Sequence, residues 1–189
     1  MDNDITKSIE EIVKETTIPE SPTKKMMYVV GEVNENATSE ALRELIETDW
    51  ESGITELNLY IVSEGGFLRD CFAIIELMQE VREKYGVTIK TYGLGEVASA
   101  GFFLFILGDE RRLYPSCRVF VHEHITINDE KTYGERIKAD KTEEKEVYEN
   151  YVRYTAERLD ISIRKAKNLL KKNKWLTKKE IRDYNINKG

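Results

Sequence analysis

The stretch VTIKTYGLGEVASAGFFLFILG, residues 87–108, decides how this chain is read. Its first part, VTIKTYGLG, mixes apolar and β-favouring residues and ends in glycine, the pattern of a strand running into a turn. Its second part, ASAGFFLFILG, is apolar on every side and long enough to be a buried helix. Between them lies Gly95-Glu96-Val97-Ala98-Ser99-Ala100-Gly101, a serine flanked by small residues at a strand-to-helix junction. Small neighbours leave room for a substrate carbonyl. A helix starting just after Ser99 would also aim free N–H groups, and the positive end of its dipole, at developing negative charge. Taken alone, the same segment also fits tight helix–strand packing around a buried serine.

The same grammar repeats outward. MMYVV from Met26 reads as a strand, and ATSEALRELIETDW as a helix opened by Asn36 or Thr38. LNLYIV, from Leu57 to Val62, ends in Ser63-Glu64-Gly65-Gly66 and leads into a helical pattern from Asp70 to Lys84. RRLYPSCRVFVHEHI supplies a further strand. Strands alternating with helices at this spacing predict an α/β fold of repeated βαβ units. The crossovers are right-handed, the sheet is mainly parallel, and ligands bind near the carboxyl ends of the strands.

Residues 1–25 read as an arm and linker: Ile5, Ile9, Ile12 and Val13 fall at helical spacing, and Pro19 and Pro22 interrupt any helix. Residues 26–189 form the main domain. Beyond Asn128 the chain is charged throughout, yet Tyr148, Val152, Thr155 and Leu159 keep one helical face apolar. This predicts a long helix protruding from the region of about 123–160. Such a helix buries little on its own domain and suggests contact with another copy of the chain.

Composition removes several classes of function. With 189 residues and 40% hydrophobic, one compact domain is expected. A net charge of −6 opposes general binding to nucleic acids or anionic membranes. The segment Arg164–Arg182 carries nine Lys/Arg and one acid, but without a recognised nucleic-acid motif it reads as a solvated face. No window approaches a membrane span, and the acidic N-terminus lacks the pattern of a signal peptide, so a cytoplasmic protein is expected. Cys71 and Cys117 are too few for a zinc cluster or a disulfide scaffold, and read as reduced thiols without a metal.

The chain has only two histidines, His122 and His124, so chemistry that needs an imidazole has almost no choice of residue. Strand alternation in Arg118–His124 puts Phe120, His122 and His124 on one face. Serine is a poor nucleophile unless a neighbouring base takes its proton, and His122 lies one crossover downstream of Ser99. The paired glycines Gly65 and Gly66 allow close approach of backbone to ligand, and with the N–H of Ala100 they are candidates for an oxyanion hole. His124, nearer the strand end, reads as a rim residue.

Together these residues resemble a known family. Gly-x-x-Ala-Ser-x-Gly is followed by Gly108-x₆-Pro115-x-x-Arg118-x₃-His122, and preceded by Ser63-x-Gly65-Gly66 and a helix carrying Ala73-Ile74. This order and spacing, over roughly Tyr28 to Tyr184, is similar to the Clp protease proteolytic subunit (ClpP), a family of serine peptidases. The resemblance implies a ClpP/crotonase-like fold whose charged helix is the handle, by which two seven-membered rings dock into a tetradecamer with the active sites inside. It implies Ser99 as nucleophile, His122 as general base, Gly65, Gly66 and Ala100 around the oxyanion hole, and no cofactor. Peptides and unfolded polypeptides are the implied substrates, and an ATP-driven Clp unfoldase the implied partner.

The match departs from the family at several points. The context Asn173-Lys174-Trp175-Leu176-Thr177 aligns Asn173 with the acid of the triad. An asparagine carbonyl can orient the imidazole Nδ1–H but gives no negative charge to stabilise an imidazolium, so lower activity than with aspartate is expected. Asp160 and Asp183 are the substitutes if the alignment slips. Glu64 replaces a proline in the glycine turn and brings a carboxylate toward the oxyanion region. Ala100 stands where the family has methionine. The N-terminal arm does not resemble the family's axial-pore segment and the chain stops soon after Tyr184, which tells against docking to the unfoldase.

Three other readings stay open at this stage. A ring-forming homologue that has lost catalysis, and acts as scaffold or regulator, is motivated by Asn173 and Glu64. A crotonase-like acyl-CoA enzyme would use the oxyanion hole without a nucleophile. Nucleic-acid binding by the basic stretch is the most distant.

Overall fold

The computed structural model describes residues 23–123 and 133–188. The first strand, β1 (Thr23–Val33), begins three residues before the expected Met26 boundary and pairs with its neighbour from Thr23 onward. The rest of the N-terminal arm, with its Ile5–Val13 stripe, lies outside the described residues, as does His124. Helix α1 (Glu35–Glu47) is opened by Asn34, whose side chain accepts from the N–H groups of Asn36 and Ala37. The cap therefore falls earlier than Asn36 or Thr38, because Asn34 is the residue still in extended backbone when the first free amides need an acceptor. Then follow β2 (Ile54–Gly66), α2 (Leu68–Tyr85), β3 (Thr88–Ala98), the buried helix α3 (Ala100–Ile106), β4 (Glu110–Leu113) and β5 (Arg118–Val121). The chain ends in α4 (Tyr133–Leu159), α5 (Ile163–Leu170), β6 (Lys174–Trp175) and α6 (Lys178–Asp183).

The sheet runs β1-β2-β3-β5-β6, with β4 also pairing β3. All pairs are parallel except β5 with β6, so the mainly parallel α/β architecture read from the sequence is the one observed. Alternation along β1 sends Met27, Val29 and Val33 into the core and leaves Met26, Tyr28 and Val30 outside. On that outer face, Tyr28, Tyr60 and Tyr92 share a register across three strands and stack at 5.5 and 4.7 Å. Four residues earlier on the same face, buried Glu56 holds Lys24 at 3.1 Å and Lys90 at 2.8 Å, and accepts from the Asn58 amide at 2.9 Å. Burial alone would raise the Glu56 carboxyl. The hydrogen bonds from Lys90, Asn58 and Lys24 outweigh it and hold the group at about 2, below its ordinary 4.5.

The handle helix corrects one expectation. The second half of α4 does pack on its own domain: Val152, Thr155, Ala156 and Leu159 are buried. Tyr151 and Tyr154 close around Phe72 of α2 and Phe103 of α3, and the Tyr154 hydroxyl donates to the Phe103 carbonyl at 3.1 Å. The sequence shows this stripe, Val152, Thr155 and Leu159 included, but not the surface it meets, because Phe72 and Phe103 lie far from it along the chain.

Buried Arg111 on β4 fixes the C-terminal segment. Its guanidinium donates to the carbonyls of Ile186, Gly108, Arg158 and Asn185 at 2.9–3.0 Å. Burial, with the nearby charge of Arg158, lowers the group to about 10.

Candidate active site

Strand β3 delivers Ser99 at its carboxyl end, in the single residue between Ala98 and the start of α3. Its backbone sits at φ 51° and ψ −119°, a conformation that costs a non-glycine residue about 1–3 kcal/mol and that concentrates at functional sites. A serine on a sharp strand-to-helix turn has its hydroxyl pushed out of the sheet. The crowding around this turn explains the small residues in the sequence. A Cβ on Gly65 would lie 2.5 Å from Ser99 Cβ, and one on Gly101 would lie 3.0 Å from Ser63 Cβ. At Gly66, φ is 145° and a Cβ would meet the Val33 carbonyl oxygen at 2.2 Å.

The histidine arrives on the adjacent strand. Parallel β5 pairs with β3 at Val97–Val119 and Ala98–Phe120, and the Ser99 N–H donates to the Phe120 carbonyl at 3.2 Å. Two residues further on, His122 Nε2 lies 2.7 Å from Ser99 Oγ. With the imidazole proton on Nδ1, Nε2 accepts the hydroxyl hydrogen, the geometry a general base needs.

The backbone donors divide into two kinds. The Gly65 N–H donates to Ser63 Oγ at 3.1 Å, and that hydroxyl in turn donates to the Gly31 carbonyl at 2.7 Å. Gly65 therefore offers close approach to Ser99, while its amide is engaged by a side chain. Among the described residues no side chain accepts from the amides of Gly66 or Ala100. Ala100 opens α3, where the first N–H groups have no partner within the helix. The next peptide is steadied from below: the Cys71 thiol donates to the Ala100 carbonyl at 3.2 Å, and burial pushes that thiol well up, so it stays protonated. Cys117, half-buried, is pushed up to about 11, by burial and then by the charge of Glu96.

The third position differs. Asn173 follows α5 at φ 46°, just before β6, and is exposed. Among the described residues no hydrogen bond joins it to His122. Asp183 pairs with Lys179 at 2.5 Å and Asp160 lies exposed past the end of α4, so neither takes the place of a triad acid here. Glu64 is exposed. What does flank His122 is aromatic: the Phe120 ring is 5.7 Å from the imidazole and 5.1 Å from Trp175. Ser63 and Cys71 are the supporting groups that sequence reasoning left without a role. In the sequence Ser63 reads only as part of the glycine-turn motif and Cys71 only as a reduced thiol, and neither pattern shows which backbone group the side chain meets.

A family model described as Clp protease matches residues 9–187. Among solved structures the fold is similar to an asparagine-to-aspartate mutant of ClpP1 from Listeria monocytogenes. The TM-score is 0.71 and the identity 22%, over 85% of this chain and 87% of that one. The structural likeness speaks for the fold, and the family match runs through Ser99, His122 and the glycine turn; the chain belongs to the Clp protease family.

Proposed function

We propose that this protein is a serine endopeptidase of ClpP type, hydrolysing peptide bonds without ATP. The observation that carries the reading is the 2.7 Å contact between His122 Nε2 and Ser99 Oγ at a strained strand-to-helix turn. His122 takes the hydroxyl proton as Ser99 Oγ attacks the scissile carbonyl. The resulting oxyanion is stabilised by backbone N–H groups of Gly66 and Ala100, with Gly65 shaping the approach. The same imidazole, now protonated, gives its proton to the leaving amine, and an acyl-enzyme on Ser99 remains. Water, deprotonated by His122, then releases the acid and restores the hydroxyl. No cofactor enters this scheme.

Family membership supports a self-compartmentalised oligomer of heptameric rings stacked into a tetradecamer, acting in the cytoplasm on peptides and unfolded chains; an ATP-driven unfoldase is the family's feeder, and an N-terminal arm unlike the family's axial-pore segment tells against its docking here. The outward apolar residues Met26, Tyr28 and Val30, at 46, 60 and 70% exposure, are a surface that burial against a second copy would satisfy. Among the described residues no helix is long and apolar enough to cross a membrane.

Hydrolysis of a fluorogenic peptide by purified protein, set against Ser99→Ala, tests the reading. Cleavage that disappears in the variant while the oligomer persists is expected, and an unchanged rate overturns the assignment. A second reading, a catalytically impaired ring subunit acting as scaffold or regulator, is favoured by one observation, the unbridged Asn173. It predicts a folded oligomer whose Ser99 is inert.

A further inference from the structure

With Asn173 making no hydrogen bond to His122 among the described residues, something else must hold the imidazole against Ser99. The groups that touch the ring's own strand form a continuous stack. The Arg118 guanidinium lies 3.9 Å over the centre of the Trp175 ring. Trp175 packs on Phe120 at 5.1 Å with the planes at 60°, and Phe120 meets His122 at 5.7 Å with the planes at 39°. Arg118 and Phe120 on β5, and His122 just past its end, stand two residues apart along the chain, and Trp175 reaches the Phe120 side because β6 pairs Phe120 with Trp175. The Leu176 N–H donates to the Val119 carbonyl at 2.8 Å, which pins the indole-bearing strand in register.

Such a stack does what an orienting carboxylate otherwise does sterically. Aromatic pairs at these separations are attractive, and a cation over an indole adds to that, so Trp175 is held between Arg118 and Phe120. Phe120 in turn lies between Trp175 and the imidazole whose Nε2 meets Ser99 Oγ. We propose that Trp175, acting through Phe120, is the positioning residue for His122, a role that rests on the peptidase reading for its catalytic consequence but not for its geometry. Shape alone does the aligning, without contributing charge to the reaction.

Two measurements on the full chain test this. Crystal structures of Trp175→Ala and Trp175→Phe give the His122 Nε2–Ser99 Oγ separation directly. Expected is a gap beyond hydrogen-bond reach in the alanine variant and a retained contact in the phenylalanine variant. Peptide hydrolysis by the same proteins is expected to show kcat lowered about 10- to 100-fold for Trp175→Ala with KM nearly unchanged, and restored to within about threefold by Trp175→Phe. Should Trp175→Ala fail to fold, Phe120→Leu removes the ring next to the imidazole and carries the same expectation. A contact that stays at hydrogen-bond distance in both Trp175→Ala and Phe120→Leu overturns the proposal. So does a kcat in Trp175→Ala equal to the parent's. If the parent protein itself cleaves nothing, the peptidase reading fails, and the crystallographic separation still decides the positioning role.

Discussion

His122 and Asn173 are the residues just beyond the last β5–β6 pair, Val121 with Lys174, and among the described residues no hydrogen bond joins them; Asn173, at φ 46°, leaves the extended backbone there. Asn173, the residue the family resemblance puts at the position of the triad acid, therefore lies near the histidine in the chain's pairing and brings it neither a charge nor a hydrogen bond. Asn173→Asp supplies a carboxylate there. The expected outcome is a kcat raised by about 10-fold or more, because an anion beside Nδ1–H stabilises the imidazolium of the transition state. Steady-state hydrolysis of a peptide by both proteins measures it, and a rate unchanged or lowered would show that the aspartate cannot reach the ring.

How much of this was legible in the chain follows from what each residue depends on. The meeting of Ser99 with His122 was readable because it rests on local pattern: small residues at a strand-to-helix turn, and an alternating strand in a chain with only two histidines. The parallel sheet was readable for the same reason. The engagement of the Gly65 amide by Ser63 was not, since it depends on which way a peptide faces in a turn whose composition allows several. The packing of α4 through Tyr151 and Tyr154 was missed because its partners, Phe72 and Phe103, are distant in sequence and only the folded sheet brings them under the helix. Nothing in the order Arg118, Phe120, His122 and Trp175 reveals a stack until β6 folds back beside β5.

The glycine turn gives a steric prediction. Gly65→Ala puts a methyl group 2.5 Å from Ser99 Cβ at a residue with φ of 112°. Hydrolysis is expected to fall more than about 100-fold, since a displacement of the nucleophile on the order of 1 Å is enough for that. Gly86→Ala is the matched control: its φ is 67° and nothing lies within 4 Å of the added atom, so only the conformational cost of about 1 kcal/mol is expected, with activity retained. Equal activity in the two variants would remove the steric account.

Stability should report the Glu56 cluster through pH. The Glu56 carboxyl is held at about 2 against an ordinary 4.5. A depressed folded value means the contribution is fully present above about 4.5 and is lost as pH falls toward about 2, and it amounts to roughly 3 kcal/mol. Urea unfolding of the parent and Glu56→Gln at pH 7 and pH 3 measures the difference. The variant is expected to be less stable at pH 7, and the gap between the two proteins should narrow at pH 3. A gap independent of pH would place the cost in packing instead of charge.

The most direct test of the central claim is the rate at which a fluorophosphonate phosphonylates Ser99, the Oγ–P bond forming as fluoride leaves, read by intact-mass spectrometry on the parent protein and on His122→Ala. The account predicts one label per chain on Ser99 in the parent, and a rate at least about 100-fold slower without the imidazole. Equal labelling of both proteins, or a label on another residue, would contradict it.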